Sequence, residues 1–508
     1  MKSLSLWLFL IFLYLSTNKN VISATHYNEI PRLSPMLQKG ILAKDNPIKE
    51  SSLNIPQGFQ KYYYEQTLDH FNYNPESYTT FRQKYYINTT FWGGAKSNSQ
   101  IFVYLGAELE LDSQLLSVTF PIENAPRFNA MLVYIEHRYY GESIPSGSYG
   151  MNFGYFSSAQ AIADFAEVLI HVKENFSARY SPIIVFGVSY GGMLAAWFRL
   201  KYPHVALGAL ASSAPILYFN NVTAQDAYYS IVTKDFKEAS ESCYQTIRTS
   251  WGEIDKVALE PNGRAILGQK FNSCSGFIYP DVLKSTLKYA YAYAAQYNAP
   301  PGYPVTRMCE AIDGKPKGTD ILDRIAAGLK FYYAYFYGLQ GCLNVKGFTD
   351  SERLSSVVRG AGGWNWQMCS EMVFPFGITE ENSMFPKAPF NLTAREEYCE
   401  NLYHVPPRPD WASTYYGGKD IKLVLRRFAS NIIFSNGLSD PYSGGGVVED
   451  LSDSLLAVTT TKGSHGLDLY PANKKSDPEW LVMQRNTELH IINGWIKTYY
   501  ADLIEITK

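Results

Sequence analysis

The stretch Ile183 to Leu200, IIVFGVSYGGMLAAWFRL, decides the fold. Ile183 to Phe186 is a continuous β-branched and aromatic run, as expected for a strand buried on both faces. Gly187-Val188-Ser189-Tyr190-Gly191 follows at once and fits G-x-S-x-G. Met193 to Leu200 then reads as a helix, with Ala, Leu and Trp on one side. Strand, tight turn with serine at its tip, helix: this is the context of a nucleophile elbow. The turn is crowded, so the residues flanking it must lack a Cβ. The serine hydroxyl then sits at a helix N-terminus, where N–H groups can stabilise an oxyanion. A chance G-x-S-x-G in a loop would lack the flanking strand and helix.

Outward from the elbow, further buried strands are predicted at Ile101 to Leu105, Met131 to Ile135 and Leu207 to Ala211. A helix is predicted over Ser157 to Phe176, where Ala161, Ile162, Phe165, Val168, Leu169 and Val172 recur at helical spacing. Two antiparallel strands, Tyr62 to Phe71 and Phe81 to Ile87, precede them. Alternating buried strands and helices imply a parallel α/β sheet. From Asn220 to about Gly341 helical stretches such as Tyr289 to Tyr297 and Ile321 to Tyr337 occur without a strong strand. The α/β pattern resumes at Asn431 to Ser435 and Leu455 to Thr460, and Trp480 to Ile506 closes the chain as an amphipathic helix.

A chain of 508 residues exceeds one ordinary domain, so an insertion or a second domain is expected. Its hydrophobic fraction of 46% and charged fraction of 18% are those of a globular protein. The net charge of −2 points to neither nucleic acid nor an anionic membrane as partner. Lys2 followed by the apolar run Leu4 to Leu15 and the polar, small-residue stretch to Ala24 reads as a secretory signal, residues 1–24. A polar, Pro-bearing leader or propeptide is expected over 25–55. No later segment has the roughly 18 uncharged apolar residues of a membrane span.

The six cysteines, Cys243, Cys274, Cys309, Cys342, Cys369 and Cys399, all lie in the middle region and none has C-x-x-C spacing. An even set in an oxidising compartment suggests disulfides, whose connectivity the spacing leaves open. Asn88, Asn175, Asn221 and Asn391 each head an N-x-[ST] sequon.

A serine needs a positioned base, and in this architecture the chain order is serine, acid, histidine. Of eight histidines only His404, His465 and His490 follow Ser189. His404 precedes the resumed sheet and His490 lies in the closing helix. His465 sits in Gly463-Ser464-His465-Gly466, a loop directly after a strand, where a base must hang over the sheet edge. Asp440 lies in the loop after the preceding strand and can hold the imidazole tautomer. An Asx-turn at Asp440-Pro441 is the structural alternative. The oxyanion donors expected are the N–H of Tyr190 and one from Gly106 or Ala107.

These residues resemble the prolyl carboxypeptidase family of serine peptidases, which includes Pro-X carboxypeptidases and dipeptidyl peptidases. The matching pieces are Leu68-Asp69-His70-Phe71, the run Glu136-His137-Arg138-Tyr139-Tyr140-Gly141-Glu142-Ser143, the elbow Ser189 to Trp197, Ser435-Asn436-Gly437 with Asp440-Pro441, and His465 with Leu467-Asp468-Leu469. The resemblance implies an α/β-hydrolase core with an inserted, mainly helical, disulfide-stapled cap: core over 56–205, cap over 206–340, and core with closing helix over 341–508. It implies a triad of Ser189, Asp440 and His465 and disulfides Cys243–Cys309, Cys274–Cys342 and Cys369–Cys399. Relatives carry one more pair where this chain has Gln225 and Gly377. The proline pocket of the family falls on Met193, Phe374 and Tyr442. Carboxypeptidase members have a second histidine after the catalytic one and an arginine a few residues on, where this chain has Gly466 and Tyr470. A serine exopeptidase acting after proline in short peptides is therefore expected, in the secretory pathway, lysosome, vacuole or outside the cell. An esterase or lipase, a dipeptidyl peptidase and a non-catalytic binding protein are the alternatives. No metal or cofactor is implied, and a homodimer is left open.

Overall fold

The computed structural model describes residues 55–145, 153–339, 341–343 and 361–507. The expected signal segment 1–24 and all but the last residue of the leader 25–55 lie outside them. Eight strands form one sheet: β1 (Gln60–Thr67), β2 (Thr80–Asn88), β3 (Ile101–Leu105), β4 (Met131–Ile135), β5 (Ile183–Val188), β6 (Gly208–Ser212), β7 (Ile432–Gly437) and β8 (Leu455–Thr460). Their order is β1-β2-β4-β3-β5-β6-β7-β8. The β1–β2 and β2–β4 pairs are antiparallel and the rest parallel.

Side chains alternate between the two faces along each central strand. Ile101, Val103 and Leu105 of β3 enter one apolar cluster, and Phe102 and Tyr104 the other. Every residue of β3, β4, β5 and β6 is buried, which is why these strands read as unbroken apolar runs. The strand order doubles back about β3: β4 lies on one side and β5 on the other. The C-terminal ends of β3 and β5 therefore meet at the switch point, where open α/β sheets place their ligands.

The described helices, in chain order, are α1 (Leu111–Ser117), α2 (Phe120–Phe128), α3 (Ser158–Asn175), α4 (Tyr190–Lys201), α5 (Ala227–Ala239), α6 (Glu241–Ala258), α7 (Gly263–Lys270), α8 (Pro280–Gln296), α9 (Pro304–Asp313), α10 (Ile321–Tyr337), α11 (Ala361–Ser370), α12 (Leu392–Tyr403), α13 (Trp411–Tyr416), α14 (Ile421–Phe428) and α15 (Glu479–Thr507). α5 to α14 all fall between β6 and β7. β6 therefore belongs to the sheet although it lies inside the span 206–340 expected for the cap. Conversely α11 to α14 add helix, not strand, to the span 341–508 expected to resume the core. Cap helices and the sheet face carrying α3 and α4 share one continuous apolar cluster. Disulfides join Cys243 to Cys309, Cys274 to Cys342 and Cys369 to Cys399.

The motif around Glu136 to Ser143 braces the sheet edge. Arg138 Nε and Nη2 donate to the two Asp164 oxygens at 2.6 and 2.5 Å, and Nη1 donates to Leu68 O at 2.8 Å. His70 Nε2 meets Asp164 Oδ1 at 2.7 Å. Burial disfavours the His70 cation, but hydrogen bonds to Asp164 and Glu167 outweigh it and raise the pKa to about 9. The two sequence motifs thus meet at one buried carboxylate. Among the sequons, Asn175, Asn221 and Asn391 are exposed. Asn88 is a correction: it is 5% exposed and its amide nitrogen donates to Gln57 O at 3.4 Å. A glycan at Asn88 would have to displace the chain around Gln57.

Candidate active site

Ser189 joins β5 to α4 with φ 64° and ψ −122°. A non-glycine residue pays for that conformation, and its neighbours must make room. A Cβ at Gly187 would overlap the Gly191 carbonyl, and one at Gly192 would come within 2.6 Å of Ser212 O. The strain points the serine hydroxyl out of the turn. His465 Nε2 lies 2.7 Å from Ser189 Oγ, and His465 Nδ1 lies 2.7 Å from Asp440 Oδ2. With Nδ1–H donating to the carboxylate, Nε2 keeps its lone pair for the serine proton. Asp440 Oδ1 accepts from Tyr442 N–H at 3.0 Å, which fixes the carboxylate plane. All three residues are fully buried beneath the cap.

The loop that carries His465 is held on several sides. His465 N–H donates to Gln296 O of α8 at 3.0 Å, and Gly466 N–H donates to Ser213 Oγ at 2.8 Å. Arg485 of α15 donates to the carbonyls of Leu467, Asp468 and Tyr470. Gly466 has φ +65°, and a Cβ there would lie 2.6 Å from Val188 Cγ1. The second histidine of the carboxypeptidase relatives therefore does not fit this loop as it stands. The Tyr470 hydroxyl is buried with no partner among the described residues.

Tyr190 opens α4, so its backbone N–H has no acceptor within the helix. Its phenol is anchored by a directed network. His137 Nδ1 bonds Arg138 O at 2.6 Å, so Nε2 accepts from Tyr190 O–H at 3.1 Å. Burial lowers the His137 pKa to about 4 and keeps the ring neutral. Gln367 of α11 donates to the Tyr190 oxygen at 2.7 Å and to Glu371 Oε1 at 3.1 Å, and accepts from Tyr140 O–H at 2.7 Å. Burial lifts Glu371 to about 7.

The second expected oxyanion donor needs correction. Gly106 N–H remains in the sheet and donates to Ile135 O at 2.9 Å. Ala107 N–H donates to Gln114 Oε1 at 2.7 Å. The ladder extends one residue past β3, and a glutamine side chain takes the next donor.

Met193, Phe374 and Tyr442 are all buried in the cluster beneath the cap. Tyr442 lies 5.3 Å from the His465 ring, centroid to centroid. Phe376, which sequence reasoning missed, stands between the other two rings, 5.5 Å from Phe374 and 6.0 Å from Tyr442. Trp364, also missed, lies 5.3 Å from Tyr190 and 6.2 Å from Phe374. The buried carboxylate of Glu108, in the loop after β3, acts electrostatically on Tyr297 and Tyr442. A cavity of about 290 Å³ is walled by Phe376, Tyr229, Trp251, Lys284 and Lys288, and no triad residue lines it.

Residues 66–488 match the serine carboxypeptidase S28 family. The chain belongs to that family. Lysosomal Pro-X carboxypeptidase of Homo sapiens is 36% identical over 464 residues, which are 88% of this chain and 90% of the relative. Prolyl carboxy peptidase like protein 5 of Caenorhabditis elegans is 30% identical over 90% of this chain and 94% of its own length. Thymus-specific serine protease of Mus musculus is 28% identical over 85% of this chain and 87% of that protein. This S28 member is a serine peptidase with the α/β-hydrolase architecture.

Proposed function

We propose that this protein is a Pro-X carboxypeptidase in which Ser189, His465 and Asp440 carry the chemistry. The observation behind the reading is the hydrogen-bonded line from Asp440 through His465 to the strained Ser189, set beside a cluster of aromatic side chains. Ser189 Oγ attacks the carbonyl of a penultimate proline while His465 Nε2 takes its proton. The imidazolium, supported by Asp440, returns that proton to the leaving amine, and water then clears the acyl-enzyme by the same route. Tyr190 N–H meets the developing oxyanion. Met193, Phe374, Phe376 and Tyr442 receive the proline ring, which has apolar faces and no N–H to satisfy. The domain division that fits this reading is a core to about residue 212, a helical cap to about 431, and a second core part with α15. Three disulfides and the lysosomal relatives support a site of action in the secretory pathway or lysosome.

Recognition of the leaving residue's carboxylate rests on neutral donors such as Tyr470, because no cation stands at position 466 or 470. Matched N-blocked peptides ending Pro-Phe, as free acid and as amide, test this through kcat/KM. The blocked acid should be cleaved, with a preference over the amide of no more than about tenfold. A second reading, dipeptidyl peptidase, is favoured by Glu108, a carboxylate able to pair with a substrate ammonium. Cleavage confined to peptides with a free N-terminus would replace the first reading by the second.

A further inference from the structure

Three elements converge beneath the His465 loop. β6 ends at Ser212, β7 contains Ser435, and α15 brings Glu488, while the loop itself contributes Asp468. Ser212 Oγ donates to Asp468 Oδ1 at 2.5 Å, and Ser435 Oγ donates to Glu488 Oε1 at 2.7 Å. Gln484 Nε2 donates to Ser435 Oγ at 2.9 Å, which uses that oxygen as acceptor and directs its proton to Glu488. Asp468 is 3% exposed and Glu488 is 0% exposed. The two carboxyl groups are in hydrogen-bonding contact with each other. Their outer oxygens, Asp468 Oδ2 and Glu488 Oε2, have no other donor among the described residues.

Two ionised carboxylates in contact away from water would repel, and neither could donate to the other. Among the described residues no cation forms an ion pair with either carboxyl. Arg485, one turn before Glu488 on α15, acts on both carboxyls and favours their ionised forms, but less than burial opposes them. Its Nε, and Nη2 twice, donate to loop carbonyls, and Nη1 meets Asp477 Oδ2 at 2.6 Å. From β6 and β7 the Ser212 and Ser435 hydroxyls face the pair. On the loop side the further titratable groups are the Tyr470 phenol and, beyond it, Asp440. A single proton placed between Oδ2 and Oε2 satisfies both orphaned oxygens and removes the repulsion.

We propose that Asp468 and Glu488 hold one proton between them and that this proton clamps the His465 loop to β6, β7 and α15. They are positioning residues, since neither touches Ser189. The inference goes beyond the peptidase reading, and its main readout is stability, so the two can fail separately. Burial raises both carboxyls above their ordinary range, and the Asp468 carboxyl raises Glu488 further. A carboxyl raised in the folded state contributes stability that is fully present below the unfolded value of about 4. That stability is lost as pH rises through the raised folded value. Past that point two like charges remain in contact, and the loop is released with its histidine.

Glu488→Gln is the test, because its amide Nε2–H donates to Asp468 at every pH. Melting temperature of wild type and variant is measured from pH 4.5 to pH 8, with peptidase activity alongside. The two curves should run together at acid pH. Toward neutral pH the variant should become the more stable by about 2 °C or more, with the alkaline limb of its activity profile moved upward. Glu371, raised to about 7, titrates in the same window in both proteins and cancels in the difference. Asp468→Asn, with the amide on the other partner, should give the same divergence. Parallel melting curves for both variants would overturn the proposal. So would failure of both to fold, because each amide supplies the hydrogen bond the shared proton is said to make.

Discussion

Ser189 is costly to place, on the order of 1–3 kcal/mol for its backbone conformation, and the glycines around it are there to permit it. The return is an Oγ that lies 2.7 Å from His465 Nε2 before any substrate arrives. Asp440 acts one step back, by choosing which imidazole nitrogen carries the proton. Asp440→Asn keeps the shape and offers an N–H where an acceptor is needed. It should lower kcat on the order of 10³-fold or more with KM and melting temperature little changed. Steady-state kinetics on the purified variant checks this, and a loss of less than tenfold would remove Asp440 from its role. Ser189 and Asp440 were legible because each follows a buried strand, and His465 because it follows β8, whose apolar and β-branched run still reads as a strand although only Leu455 in it is buried. The second oxyanion donor was misread at the same scale. Whether Gly106 N–H is spent depends on how far the β3–β4 ladder runs, which one strand's residues do not reveal.

The elements of the core were read close to their observed bounds, since periodicity reports a strand or helix that packs against one sheet. In the cap, Ile321 to Tyr337 matches α10 end to end and Tyr289 to Tyr297 covers only the last half of α8, while α11 to α14 were not read. α11 and α12 carry weak apolar periodicity, and α13 and α14 are short. Trp364, Phe376 and Gln367 reach the site from helices and loops whose placement depends on contacts far away in sequence. The Asp468–Glu488 pairing was hidden for the same reason: it exists only where a loop meets α15. One cap contact carries a direct prediction. Gly377 N–H donates to Gln225 O at 2.8 Å, so the two segments run side by side at the place where the family resemblance implies a further disulfide. Gln225→Cys with Gly377→Cys should oxidise spontaneously and stabilise the protein by at most about 2–4 kcal/mol, less the cost of shifting the Phe390 backbone nitrogen, which lies 2.6 Å from a Cβ at position 377. Melting with and without reductant reads this out, and two free thiols in the folded double variant would contradict it.

On the scale of the molecule, sheet and cap act as one site. The strand order brings the ends of β3 and β5 together, and β7 and β8 deliver acid and base from beyond a helical insertion of some two hundred residues. The insertion returns the favour by burying the triad and lending Gln296, Trp364 and Phe376 to its walls. Among the described residues no helix is long and apolar enough to cross a membrane. The central claim is that one serine, Ser189, is the nucleophile of this assembly. Reaction of the intact, active protein with a fluorophosphonate, followed by peptide mapping, tests it most directly. The account predicts one label per chain, on Ser189, gained in step with loss of peptidase activity and absent from Ser189→Ala. Labelling of another residue, or full activity retained by Ser189→Ala, would contradict it.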